Sequence, residues 1–181
     1  MSKVLLLGTS NQDKVRELQA ILKDLDWEVK SLADFPPVAE PVEDGQTFEE
    51  NALKKAEYYR DAHGVTTVAD DSGLEVDALN GAPGVYSARY AGESCSYADN
   101  NEKLLDALQE YMWHERTARF VCCAALARLE GEPYIVRGEV EGHISVEPFG
   151  TNGFGYDPVF VPEDHDCTFA EMTAEEKHKI S

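Results

Sequence analysis

Apolar and polar positions alternate along this chain in two rhythms, one of strands and one of helices. Residues 3–8, Lys-Val-Leu-Leu-Leu-Gly, are almost wholly apolar, the pattern of a strand buried on both faces. After the polar stretch Thr9 to Lys14, the residues Val15, Leu18, Ile21, Leu22 and Leu25 recur at helical spacing. Residues 27–32 alternate like a second strand. Residues 33–46 hold three of the eight prolines and the acids Glu40, Glu43 and Asp44, and read as a solvated connection. Thr47 followed by Glu50 is a capping box, and the helix it opens is expected to stop at Gly64. Val65 to Ala69 is a β-branched run that predicts a buried strand. Leu74-Glu75-Val76-Asp77 alternates like an edge or hairpin strand, and residues 98–112 carry a helical stripe. Further strands are predicted over 120–129, 134–139, 142–147 and 159–161. Thr173 and Glu176 form a second capping box before a short last helix. Helices interleaved with strands predict an α/β fold.

Three polar stretches stand out against this pattern. The predicted strand 65–69 runs into Asp70-Asp71-Ser72-Gly73. Adjacent carboxylates repel, and their usual reward is a metal ion or a proton to move. An ordinary solvated turn has the same composition. Thr9-Ser10-Asn11-Gln12-Asp13-Lys14 sits at a helix N-terminus, which offers unpaired N–H groups and partial positive charge to an anion. Lys14 is unfavourable there to the helix dipole, so a bound phosphate accounts for it better than helix stability does. A cap by Ser10 or Asn11 is the plainer alternative. The loop lacks the glycines of a Walker A sequence. Both stretches follow strands on their carboxyl side, where open α/β sheets bind ligands, so they are expected to be neighbours. The third stretch, residues 149–158, is rich in glycine. Its Phe154 and Tyr156 suit stacking on a base, or packing into the core, and Asp157 is a hydrogen-bond acceptor.

Composition narrows the choice. A length of 181 residues suits one domain, 1–181, with a core of its own. Thirty-five acidic against sixteen basic residues give a net charge of −19, which argues against binding nucleic acid or an anionic membrane through the general surface. A small polyanion remains compatible where cations, helix N-termini and a divalent metal reverse the local field. No apolar stretch approaches the roughly 20 residues of a membrane span. Cys95, Cys122, Cys123 and Cys167 show no C-x-x-C spacing, and free buried thiols in a reducing cytoplasm are expected. Cys122 and Cys123 are predicted on opposite faces of a strand. The five histidines form no H-x-x-x-H or H-x-H pair, which argues against zinc, and no serine lies in a G-x-S-x-G elbow.

Taken together, the motifs resemble the non-canonical purine nucleoside triphosphate pyrophosphatases, the inosine triphosphatase family. The matching elements are Thr9-Ser10-Asn11-x-x-Lys14-Val15-x-Glu17, Thr47-Phe48-x-Glu50-Asn51-Ala52, Ala69-Asp70-Asp71-Ser72-Gly73-Leu74, Gly81-Ala82-Pro83-Gly84-Val85-Tyr86-Ser87-Ala88-Arg89, Thr117-Ala118-Arg119-Phe120 and Gly153-Phe154-Gly155-Tyr156-Asp157-Pro158. They come in family order and span nearly the whole chain.

The resemblance implies an α/β fold with a long central mixed β-sheet flanked by helices, two lobes around a cleft, and a homodimer. It implies Mg²⁺-dependent hydrolysis of inosine and xanthosine triphosphates to monophosphate and pyrophosphate. Thr9, Ser10, Asn11, Gln12, Asp13 and Lys14 would then hold the phosphates, and Asp71 would take the proton or hold Mg²⁺. Ser72 would contact substrate, and Glu43 would help hold the metal, with Glu40 a second candidate. Phe154, Gly155, Tyr156, Asp157 and Lys177 would contact the base and its surroundings. In the family, the stretch resembling Glu175 to Ser181 is followed by His-Arg and a longer helix, so an incomplete record of a longer protein is expected. A water attacking the α-phosphorus, with pyrophosphate leaving, fits phosphoryl chemistry. On an extended strand Asp70 and Asp71 point to opposite sides, and Asp71 is expected to face the site. Other readings are a pyrophosphatase of modified pyrimidine nucleotides, or a nucleotide-binding protein with impaired catalysis.

Overall fold

The computed structural model describes residues 3–181. Six strands are hydrogen-bonded in the order β2-β1-β3-β4-β5-β6. They are β1 Val4–Leu7, β2 Glu28–Ser31, β3 Thr66–Val76, β4 Thr117–Ala127, β5 Tyr134–Ile144 and β6 Phe160–Pro162. The helices are α1 Gln12–Leu22, α2 Phe48–His63, α3 Tyr97–Ala107 and α4 Ala174–Lys177. None of the described helices is long and apolar enough to cross a membrane. β2 and β3 both run parallel to β1, and β5 pairs antiparallel with β6, so the sheet is mixed, as expected of this α/β class. The chain divides into two compact units, the first running to Asp71 and including Cys122–Arg137, the second holding Ser72–Val121 and Gly138–Ser181.

In the first unit the β1-α1-β2 crossover forms where the apolar run and the helical stripe predict it, but α1 stops at Leu22, short of Leu25, and of the stripe only Val15 is buried while Ile21 and Leu25 are exposed. Leu5, Leu6 and Leu7 are buried, as a strand covered on both faces requires. Asn11 caps α1, its side chain accepting from the Asp13 and Lys14 amides at 2.9 and 3.3 Å. Thr47 caps α2, and Gly64 ends it in the left-handed conformation. β1 pairs with β3 only as far as Val68, and the Gly8 amide closes that ladder on the Val68 carbonyl at 2.8 Å. The loop after β1 therefore leaves the sheet beside Asp70 and Asp71.

β3 departs from the sequence reading. It continues unbroken from Thr66 to Val76, so the acid pair lies inside a strand, and Leu74 to Val76 belong to that strand. Leu74 and Val76 are fully buried, and the Leu74 amide donates to Ser87 Oγ at 2.9 Å. Burial on the far side of the acids carries the strand through residues with turn propensity. Likewise 134–147 contains one strand to Ile144, where two were expected. In β4 Cys122 is exposed and Cys123 buried, on opposite faces as predicted. None of the four cysteines is in a disulfide, but only Cys123 is the buried thiol expected, Cys95 and Cys167 being half-buried and Cys122 exposed.

In the second unit Leu74, Val76, Leu104, Leu108, Ile144, Val159, Phe160 and Phe169 form one core. Phe120 meets Phe160 edge-on with centroids 4.7 Å apart. The buried Arg116 guanidinium donates to the carbonyls of Leu108, Tyr111 and Ser145 at 2.8, 3.1 and 2.9 Å. It thus satisfies two backbone acceptors just beyond the C-terminus of α3 and one just after β5.

Candidate active site

The first unit assembles two lysines against the two adjacent carboxylates. Lys14 Nζ lies 2.7 Å from Asp70 Oδ2. Lys55 Nζ lies 3.5 Å from Asp71 Oδ1 and 3.2 Å from Glu43 Oε2. Alternation along β3 sends Asp70 and Asp71 to different partners, as the extended backbone requires. The two predicted stretches are thereby neighbours, since Lys14 belongs to the first and Asp70 to the second. Burial pulls the Lys14 ammonium down, but the Asp70 and Asp71 carboxylates outweigh it, and the group ends above its ordinary value. Lys14 therefore has a carboxylate partner in the fold itself, as well as a position suited to phosphate.

Asp71 is 7 % exposed. Burial pushes its carboxyl above the usual carboxylate range, against the pull of Lys55, an Asn51 hydrogen bond and Lys14, and Glu43 adds to the rise. A carboxylate with a strengthened hold on a proton, beside cations that attract phosphate, is suited to proton transfer.

The loop carrying Glu43 is largely exposed but is not a free connection. It is stitched antiparallel along α2. Tyr58 Oη donates to the Ala39 carbonyl at 2.8 Å, Lys55 meets Glu43, Lys54 pairs with Asp44, and the Gly45 amide donates to Asn51 at 2.8 Å. The Gln46 amide donates to Glu50 at 2.7 Å. This series places Glu43 on the cation it shares with Asp71. Glu40 lines a groove of about 280 Å³ with Thr9, Ser10 and Gln12 of the predicted phosphate loop and with Tyr59 and His63. Among the described residues no three His, Cys, Asp or Glu side chains come together as a metal-binding group. Mg²⁺ needs no such cage, being held by one or two carboxylates with phosphates and water. Asp71 and Glu43, hard oxygen donors already converging on one cation, fit it.

The remaining predicted phosphate residues surround the start of α1. Thr9 Oγ1 accepts from the Asn11 amide at 3.2 Å, and Ser10 and Gln12 are exposed. Asp13 pairs with Arg16 on the outer face of the helix. Ser72 is half-buried in β3.

The second unit holds the predicted base-contacting residues. Asp157, 2 % exposed, accepts at Oδ2 from the Phe154 amide at 2.9 Å and from Lys177 Nζ at 2.7 Å. Gly153 has φ +71°, and a Cβ there would lie 1.9 Å from Asp157 Oδ2, so only glycine allows this closure. The Lys177 ammonium stands 4.9 Å from the centre of the Phe154 ring. Asn101 Nδ2 donates to the Gly155 carbonyl at 3.0 Å. Tyr156 is a core residue, with its hydroxyl donating to the Ser87 carbonyl at 2.8 Å, so its ring is not available for stacking.

A model of the Ham1 family matches residues 5–181. The chain belongs to the Ham1 family. A Desulfotalea psychrophila protein named dITP/XTP pyrophosphatase is 48 % identical over 181 residues, covering 100 % of this chain and 80 % of the relative. A Bacillus licheniformis protein of the same name is 50 % identical, covering 99 % and 91 %. Among solved structures, the Staphylococcus aureus Ham1 protein superposes with a TM-score of 0.88 at 42 % identity, covering 99 % and 91 %. The Mycobacterium abscessus nucleoside-triphosphatase / dITP/XTP pyrophosphatase gives 0.82 at 44 % identity, covering 98 % and 93 %.

Two residues of this Ham1 chain that touch Asp71 were not singled out for a role from sequence, Asn51 and Lys55. Lys55 did leave a signal. It falls on the buried stripe of α2, with Phe48, Ala52, Ala56 and Tyr59. A lysine on such a stripe needs a buried partner.

Proposed function

We propose that this protein hydrolyses non-canonical purine nucleoside triphosphates, such as ITP, dITP and XTP, to the monophosphate and pyrophosphate. The observation that carries the reading is the convergence of Asp71 and Glu43 on Lys55, beside the Lys14–Asp70 pair at the N-terminus of α1. The names of the relatives support the substrate class.

In this reading the Lys14 ammonium and the positive end of the α1 dipole attract phosphate oxygens, the Asp13 and Lys14 amides being bonded to the Asn11 side chain. Asp71 accepts a proton from the attacking water. Asp71 and Glu43 would hold Mg²⁺, which when bound supplies charge neutralisation on the phosphates. Lys55 keeps the two carboxylates together until then. Phe154 and Lys177 contact the base. Selection against adenine rests on polarity: a donor such as the Lys177 ammonium pairs with O6 of a 6-oxo purine but opposes the amino group of adenine. A homodimeric, cytoplasmic enzyme completes the reading, resting on the family resemblance and the four free thiols. The test is pyrophosphate release from ITP, dITP, XTP, ATP, GTP and dUTP side by side. The 6-oxo purines ITP and XTP should exceed ATP by orders of magnitude, and equal turnover of ATP would refute the selection argument.

A further inference from the structure

The side chain of Asn51 is 2 % exposed and makes two hydrogen bonds in opposite directions. Its Nδ2 donates to Asp71 Oδ2 at 3.0 Å. Its Oδ1 accepts from the Gly45 amide at 2.8 Å. The second bond fixes the first, because an amide oxygen committed to an N–H donor leaves the amide nitrogen facing the carboxylate. Space is equally tight: a Cβ on Gly45 would lie 2.5 Å from Asn51 Oδ1. Asn51 and Lys55 are one helical turn apart on α2, so the helix presents a neutral donor to one oxygen of Asp71 and a cation to the other. Gly45 is two residues from Glu43 in the loop stitched along α2.

We infer that Asn51 is a positioning residue that couples the Glu43 loop to the Asp71 carboxylate, orienting one and tethering the other through a single amide. The inference rests on the reading that Asp71 and Glu43 form the hydrolytic centre. Asn51 is buried, so it acts through Asp71 and the loop. Residues that orient a metal-binding or reacting carboxylate in this way typically change activity or metal affinity by roughly 10–100-fold when replaced.

The two arms can be separated. Asn51→Asp keeps an acceptor for Gly45 and loses the donor to Asp71, whereas Asn51→Ala loses both. Two readouts are needed: steady-state kinetics on ITP, and hydrogen exchange of the Gly45 amide in the metal-free protein. In Asn51→Asp, kcat should fall roughly 10–100-fold with KM within a few-fold, and Gly45 exchange should stay as slow as in the parent. In Asn51→Ala, Gly45 exchange should also rise at least tenfold. Gly45→Ala, which keeps Asn51 but pushes on its oxygen, should lower kcat as well, and it carries the test if Asn51→Asp does not fold. Parental kcat in Asn51→Asp, or in Gly45→Ala if it must stand in, overturns the inference. So does unchanged Gly45 exchange in Asn51→Ala. Asp71→Asn in the same assay separates the two claims. An active Asp71→Asn refutes the reading of the centre, whereas an inactive Asp71→Asn with a fully active Asn51→Asp refutes only the role of Asn51.

Discussion

Asp71 Oδ1 lies 3.5 Å from the Lys55 ammonium, and that ammonium also meets Glu43 Oε2 at 3.2 Å. Two carboxylates that would repel each other are held together by a lysine side chain that is only 9 % exposed. Lys55→Met removes the shared cation and leaves the buried Asp71 charge with less compensation. Breaking a buried pair in this way costs on the order of 3 kcal/mol. Most of the cost should come from Asp71, since Glu43 is well exposed and solvent screens it. Thermal unfolding should show a lowered Tm, and added Mg²⁺ should restore more Tm in Lys55→Met than it adds to the parent. A Tm equal to the parent's would contradict the pairing.

Asp71→Asn should separate function from stability. Loss of the proton acceptor should lower kcat by roughly 10²–10⁴-fold, the usual worth of a general base. Stability should move the other way in the metal-free protein. The folded carboxyl is raised above its unfolded value by burial, so the ionised form is the one that costs stability. The advantage of the protonated form is complete below the unfolded pKa and is lost as pH rises through the folded pKa. Asparagine, always neutral, escapes that loss. Calorimetry at pH 7 should give a higher Tm for Asp71→Asn than for the parent, with the gap closing as pH falls through the carboxylate range. A lower Tm at pH 7 would show that Lys55 and Asn51 outweigh burial.

Asp157→Asn tests the second unit by itself. The carboxylate holds both the Phe154 amide and Lys177. Asparagine keeps an oxygen that can accept from both donors but loses the charge, which costs about 1–1.5 kcal/mol, or roughly 10-fold in a binding constant. If Phe154 and Lys177 contact the base and not the reacting phosphate, KM for ITP should rise by that factor while kcat stays within a few-fold. A fall in kcat at parental KM would place Asp157 in the chemistry instead.

Arg116→Met should be a stability variant. Three backbone carbonyls lose a buried donor, at about 1 kcal/mol each. For a chain of this size that lowers Tm by roughly 6–12 °C. ITP hydrolysis well below the new Tm should be unaffected.

Much of this arrangement is legible in the sequence where local chemistry and tertiary structure agree. The caps at Asn11, Thr47 and Thr173 and the stop at Gly64 lie where side-chain type predicts them. The strand through Asp70-Asp71-Ser72-Gly73 is not legible, because those residues favour turns and the burial of Leu74 and Val76 beyond them overrides that preference. Lys14 shows its position in the sequence, but its pairing with Asp70 is a contact across 56 positions that no local spacing reveals. Asn51 looks like an ordinary first-turn helix residue, and only the fold brings Asp71 and Gly45 to its two ends.

The central claim is that the Asp71 centre directs water to the α-phosphorus, and isotope labelling addresses it most directly. ITP is hydrolysed to completion in ¹⁸O-water with Mg²⁺, and the products are weighed by mass spectrometry. The account predicts IMP and pyrophosphate in equal amounts, with one ¹⁸O in IMP and none in pyrophosphate. Label in pyrophosphate, or IDP and free phosphate as products, would contradict it.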